Sequence, residues 1–409
     1  MILPFVREMF AELEQATAFQ RVRRHLAAGS GRIRVSGLTA TARALYLPLM
    51  ARAANSPVLV LVADNKAAEQ LHSNVIVAAE LTGAVAPEQV LRLPAHDVLP
   101  FENLSPHPEI QEQRASVLWK IATGAASIVI APVEAACMRL FGTEYYADLT
   151  RILRRGEEHD LAALIKHLNT VGYSPVDVVE MPGQYALRGG ILDVYPPESD
   201  RPVRVEFFGD EIDAMRRFEP ESQRSYAPVD EIALLPLTET PVTEKLLAAV
   251  NARLSGARVE GDADIVERAI AAGGVSVFPG WEFFAAVAGA KSSLIDLMPR
   301  AQVFVEEPAM VMNQADRWWE KLGQRHDRSG IGKLITPDDL YLQPQELRNQ
   351  LQWLPGLELD QLGAVDILDV DMTAGEIALH TRPTMRFHGS MPALIEDLKA
   401  LSNAGKRIL

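Results

Sequence analysis

The run Val58-Leu59-Val60-Leu61-Val62-Ala63-Asp64 constrains the fold more than any other stretch of this chain. It is strand-sized, and a helical pattern lies on either side of it, up to Ala54 before and from Lys66 to Leu81 after. Further upstream, a helical stretch from Phe5 to Ala28 stops at Gly29-Ser30-Gly31, and a short strand spans Ile33 to Val35. A helix over Ile110 to Ala122 and a strand over Ser127 to Ala131 continue the series. Strands that alternate with helices in this way predict a parallel sheet in a doubly wound α/β domain.

Charge and composition narrow the function classes. The 409 residues carry 48% hydrophobic and 23% charged side chains, a soluble globular balance with room for two to four domains. No apolar run is long enough to span a bilayer, and Met1 to Gln15 lacks the pattern of a secretory signal. The single cysteine, Cys137, excludes an internal disulfide framework and a cysteine-based metal site, so the expected location is cytoplasmic. A net charge of −14 opposes autonomous binding to nucleic acid. The basic groups Arg21 to Arg24 and Arg151 to Arg155 read as solvated helix faces or caps as readily as phosphate trackers. Leu93 to Glu109 carries His96 and His107 among prolines and acids, without metal-ligand spacing, and is expected to be a structural loop.

The turn Ser36 to Ala44 lies where a nucleotide would bind in such a domain. A working phosphate loop, G-x-x-x-x-G-K-[ST], needs glycines for backbone approach, a lysine for the terminal phosphates and a hydroxyl for Mg²⁺. Here the register gives Gly37, then Ala42, Arg43 and Ala44. The hydroxyl is missing and extra methyl groups crowd the cradle, so ATP hydrolysis is not expected. A relic of a phosphate loop and an ordinary strand-to-helix turn both fit. Glu306 ends the hydrophobic strand Gln302 to Glu307, where a metal-binding carboxylate would sit, and is assigned no catalysis.

The regular alternation breaks after Leu149. Gly183 to Pro196 and Pro202 to Ile212 read as two strands joined by a Pro-rich connection, Pro196 to Asp200. Side chains alternate faces along a strand, so Val203, Val205 and Phe207 point to a core while Arg204, Glu206 and Phe208 point away. Arg204 and Phe208 then lie about 13 Å apart on one face. Aromatic residues and arginine are the side chains favoured at interface hot spots. Burial of Phe208 under a neighbouring helix is the competing reading.

The segments YALRGGILDVYP and PVRVEFFGDEIDAMRRFEPESQRS closely resemble the second domain of the bacterial transcription-repair coupling factors, and the excinuclease B subunit of nucleotide excision repair has a related module. The resemblance implies a degenerate RecA/helicase-like parallel-sheet domain split by an inserted α+β domain, plus the start of a further α/β domain. Its boundaries fall at 1–150 and 239–345 for the split α/β domain, 151–238 for the insertion, and 346–409 for a linker and partial third domain. The chain stops at Lys406 to Leu409 in what reads as the start of a strand, as an excerpt of a longer protein would.

In function, the resemblance implies a module that recruits the excinuclease A subunit through the matching positions Arg188, Arg204 and Phe208. It also implies an intramolecular contact with a C-terminal motor region in the full-length protein. RNA polymerase and DNA would be reached only through regions absent here, and no membrane is involved. No cofactor is expected for this chain, whereas ATP and Mg²⁺ serve the full-length family protein. The aromatic insertion with which the excinuclease B subunit inspects damaged DNA is missing. Two alternatives remain open: a residual nucleotide-binding or ATPase domain using Gly37, Arg43 and Glu306, and an autonomous damaged-DNA-binding module.

Overall fold

The computed structural model describes residues 10–102, 104–256, 279–328, 335–361, 375–381 and 390–405. The helix read over Ala263 to Ala272, the run Gly274 to Phe278 and the final Lys406 to Leu409 lie outside the described residues. Fifteen strands are numbered in chain order: β1 Arg32–Ser36, β2 Val58–Val62, β3 Val90–Arg92, β4 Ile128–Pro132, β5 Arg151–Arg154, β6 Ser174–Pro175, β7 Gln184–Arg188, β8 Ile191–Val194, β9 Val203–Phe208, β10 Glu211–Phe218, β11 Ser225–Pro228, β12 Glu231–Leu234, β13 Gln302–Glu306, β14 Gly356–Leu359 and β15 Ile377–Ala378.

Seven of them form one parallel sheet in the order β15-β1-β14-β13-β2-β4-β3. The continuous apolar run at β2 is explained by this position, because alternate side chains serve two cores. Val58, Val60 and Val62 pack with the helices Thr17–Ala28, Ala40–Ala54 and Asn65–Thr82. Leu59 and Leu61 join the core on the opposite face, with Val117, Leu118 and Val311. A strand covered on both faces must be apolar at every position. Asp64 then starts the next helix by accepting the Ala67 N–H at 2.8 Å, and Gly83 ends it in the left-handed conformation.

The fold class read from the sequence is the one observed, but the expected start of a separate domain at 346 is not where the chain leaves this sheet. The helix Pro344–Trp353 leads into β14, which pairs with β1 on one side and β13 on the other, near the middle of the sheet. Glycine at 356 permits this insertion, since a Cβ there would sit 1.9 Å from the Val303 carbonyl oxygen. The acid in β14, Glu358, is buried because it accepts 2.9 Å and 3.2 Å hydrogen bonds from Arg34 of β1. β15 extends the same sheet beside β1.

The inserted segment begins and ends on a two-stranded antiparallel ribbon, β5 with β12, so its two ends leave the main body side by side. Between them lies a six-stranded sheet in the order β11-β10-β9-β8-β7-β6, antiparallel except for β6 with β7. The two long strands read from the sequence are in fact two hairpins. Gly189-Gly190 and Gly209-Asp210 each make a two-residue turn with positive φ only at the first position, 62° and 64°. Glycine at that first position matches the II′ turn, whose twist suits a hairpin. Both turns lie at the same end of the sheet.

A buried polar cluster joins insertion and main body. Glu239, just past the ribbon, accepts from Arg114 Nε at 2.6 Å and Nη2 at 3.0 Å, and His96 Nε2 lies 2.9 Å from it. Burial opposes ionisation of Glu239, but Arg114 and His96 hold its carboxyl down at about 2. His96 is thus a structural residue. His107 caps the helix Pro108–Ala122 by accepting the Glu109 N–H at 3.3 Å. The tryptophan pair at 318–319 packs as read, with the Trp318 ring edge-on to Tyr341 at 4.3 Å.

Candidate partner-binding face and the closed corner of the large sheet

The strand alternation read at β9 holds. Val203 and Val205 are buried in the insertion's core, Phe207 is half-buried against it, and Arg204, Glu206 and Phe208 face the other way. The register then lays out that outer face. One row across the sheet is Arg188, Ile191, Glu206 and Ala214; the next is Ala186, Asp193, Arg204 and Arg216.

The second row is mostly covered. Val179 and Phe218 pack with Ala186 in a small cluster on this face, and Gln223 ties the covering segments together through the Val179 carbonyl at 3.1 Å. Arg204 lies at the margin of this cover. Its guanidinium grips buried Asp193 with two hydrogen bonds, 2.7 Å and 2.8 Å, and sits 5.0 Å from the centroid of the Phe218 ring. The hydrogen bonds that Arg204 donates to Asp193 raise its pKa further, against the opposing effect of burial. The bidentate edge of Arg204, expected from the resemblance to be a partner-binding position, is occupied within the chain. Asp193 was missed because a single acid in a strand reads as solvent-facing; only the register sets it opposite Arg204.

The other row remains open. Phe208 is 82% exposed, at the tip of the β9–β10 hairpin, so no helix covers it among the described residues. Arg188 is exposed and donates to the Asp177 carbonyl. The hairpin tips are locked together: Phe207 donates its N–H to the Gly190 carbonyl at 2.7 Å, and a Cβ at residue 190 would lie 2.9 Å from the Phe207 carbonyl oxygen. Arg188, Arg204 and Phe208 therefore share one face, but only Arg188 and Phe208 lie in its open part.

The residues of the alternative site also come together, in a different state. Arg43 is buried and its guanidinium reaches both Glu306 and Glu307 at the end of β13, as well as the Leu38 carbonyl at 3.4 Å. Burial holds the Glu307 carboxyl above its ordinary range in spite of Arg43, and neighbouring Asp360 adds to the rise. The segment after β15 lies over the turn. Thr381 donates its N–H to the Gly37 carbonyl at 2.8 Å, and its hydroxyl accepts the Thr39 N–H at 2.8 Å. The Ala42 N–H is taken by the Thr39 hydroxyl at 3.4 Å. A Cβ at Gly37 would meet the His380 backbone nitrogen at 2.9 Å, so the strap is in close contact with the turn. The N–H donors of Thr39 and Ala42 in this turn are thus used by the chain itself.

Residues 152–239 match the family described as the UvrB interaction domain. The match spans the insertion from its first ribbon strand to the Glu239 latch. Curated relatives extend the likeness across most of the chain. A transcription-repair-coupling factor of Myxococcus xanthus is 28% identical over 354 residues, covering 83% of this chain and 29% of that protein. The chain is similar to the transcription-repair coupling factors. That of Haemophilus influenzae is 28% identical over 66% of this chain and 24% of its own length, and that of Escherichia coli K12 is 26% identical over 79% and 28%. The chain thus spans less than a third of each of these coupling factors.

Proposed function

We propose that this chain is a recruitment module that binds the excinuclease A subunit of nucleotide excision repair through the open part of the insertion's outer face. The observation that carries this reading is Phe208, a large aromatic left 82% exposed on a sheet face whose other half is covered. An exposed aromatic next to arginines is the composition of an interface centre. The match of residues 152–239 to the UvrB interaction domain supports a partner in the same repair system. In this account Phe208 fills an apolar pocket, Arg188 meets a carboxylate, and Arg204 is a positioning residue that braces β8 and β9 from below.

The chain itself would hydrolyse no ATP. Arg43 is spent on Glu306 and Glu307, and the turn's donors are satisfied by Thr381 and Thr39. In a longer coupling-factor protein, ATP and Mg²⁺ would serve motor regions that also handle DNA and RNA polymerase, and contacts with those regions would mask or expose the face. A cytoplasmic location fits this work, and no described helix is long and apolar enough to cross a membrane.

Calorimetric titration with the excinuclease A subunit tests the proposal. The unaltered chain is expected to bind, and Phe208→Ala to weaken binding by more than about 2 kcal/mol with an unchanged melting temperature. Equal binding by the variant, or none by the parent, removes this reading.

A further inference from the structure

We propose that Ile191 and Arg216 complete the docking face, so that the partner presents an apolar pocket for two adjacent side chains, rimmed by carboxylates. This rests on the recruitment reading above and deepens it. Ile191 is 40% exposed and stands directly opposite Glu206, which makes Phe208 its diagonal neighbour across β8 and β9. Diagonal pairs lie about 7–8 Å apart at Cα, within reach of one apolar pocket. The locked hairpin tips hold the two side chains in fixed relation, because Gly190 and Phe207 share a backbone hydrogen bond of 2.7 Å. A pre-set apolar pair loses less entropy on docking than two independent side chains.

The cations fit the same pattern. Arg204 is closed on Asp193, whereas Arg216, opposite it on β10, is exposed and, among the described residues, held by a 3.4 Å contact with Glu206. Arg188 flanks the apolar pair from β7 in the row of Ile191, and Arg216 flanks it from β10 one row further from the hairpin tips, so the two lie about 16 Å apart at the backbone. Exposed guanidiniums on both sides of an apolar centre call for a complementary acidic rim.

The test is titration of the excinuclease A subunit with the whole chain carrying Ile191→Ser, Arg216→Glu or Phe208→Ala, with Trp353→Ala as an exposed control far from the face. Ile191→Ser and Arg216→Glu are each expected to weaken binding about tenfold or more. Arg216→Lys should restore most of what Arg216→Glu loses, and Arg216→Glu should also make binding less sensitive to salt. Melting temperatures keep folding losses apart from interface losses, and Ile191→Ala serves if the serine variant unfolds. If Phe208→Ala weakens binding while Ile191→Ser and Arg216→Glu bind as the parent does, the extended face is wrong and the recruitment reading survives. If Phe208→Ala binds unchanged, or the parent does not bind, the recruitment reading falls and the extended face with it.

Discussion

Arg43 and Arg204 each hold carboxylates at the margin of a sheet, yet the two margins have opposite surroundings. Around Arg43 the two terminal guanidinium nitrogens are matched within the chain by Glu306 and Glu307, the strap at 379–381 takes the turn, and Nε is buried without a partner among the described residues. Around Arg204 the charge is matched by Asp193, but the apolar surface beyond it is not, and Phe208 and Ile191 face outward. A corner whose guanidinium ends and strap contacts are taken in this way presents little with which to recognise a ligand. A braced face with exposed apolar side chains has its polar cost already met and its apolar surface still to bury. Similar residue types thus serve stability in one place and recognition in the other.

The largest effect expected from this contrast is at Arg43. Arg43→Ala leaves Glu306 and Glu307 side by side with no counter-charge, and breaking a buried pair in this way costs about 3 kcal/mol or more. Denaturant unfolding should register that loss, while affinity for the excinuclease A subunit stays at the parent value in the folded protein. Phe208→Ala should do the reverse. If Arg43→Ala instead abolished binding without lowering stability, the corner and the face would be one functional unit and the contrast would fail.

Next comes Glu282, buried within the main body, where it accepts from Ser105 at 3.0 Å and Gln111 at 2.9 Å. Burial pushes its carboxyl up to about 7, with a smaller push from Glu239. A carboxyl that is harder to ionise in the folded state than in the unfolded one carries no penalty below about pH 4.5 and a growing one up to about pH 7. Stability from this group therefore falls as pH rises through that window, by up to about 3 kcal/mol. Glu282→Gln should flatten that slope. Glu239 has the opposite sign, since its depressed carboxyl contributes stability above the ordinary carboxylate range that is lost as pH falls toward 2. His25, His72, His96 and His167, whose burial lowers their pKa, add stability over the same rise in pH, so the test is the difference between parent and variant. Identical profiles from about pH 4.5 to 7 would show that Glu282 is better solvated than its packing implies.

How much of this could be read in advance depended on whether local pattern or long-range pairing decided the structure. The parallel sheet was legible because β2 is apolar at every position, which only a doubly covered strand requires. The insertion was legible because the alternation of helix and strand stops. β14 was not: four residues with an acid at the third resemble a linker, and only Arg34, more than three hundred residues earlier, makes Glu358 a core residue. The outward direction of Phe208 followed from period-two counting. The capture of Arg204 did not, because it depends on the register between β8 and β9, which the turn Gly189-Gly190 helps to set and the notion of one long strand concealed.

That register gives a sharper, smaller test. If Arg204 positions β8 and β9 and does not touch the partner, Asp193→Asn should weaken binding by about 1–2 kcal/mol, close to the effect of Arg204→Ala. The double variant should cost little more than either single change, as expected for two residues of one clamp. Additive losses would mean that Arg204 also contacts the partner directly.

The smallest expected effect is at the closed corner itself, and it is a null. A ligand present at a hundredfold excess over its Kd stabilises the folded state by about 2.7 kcal/mol, which a melting curve detects easily. Millimolar ATP or ADP with Mg²⁺ should produce no such rise, because Arg43, Thr39 and Ala42 already have partners in the chain. Restoring residue types alone should not change this: Arg43→Lys with Ala44→Ser supplies the lysine and hydroxyl of a phosphate loop, but Thr381 still occupies the turn. A clear nucleotide-dependent rise in the parent would mean that the strap lifts away. The corner would then be a ligand site with a cover, and the difference between it and the open face would be one of occupancy rather than of kind.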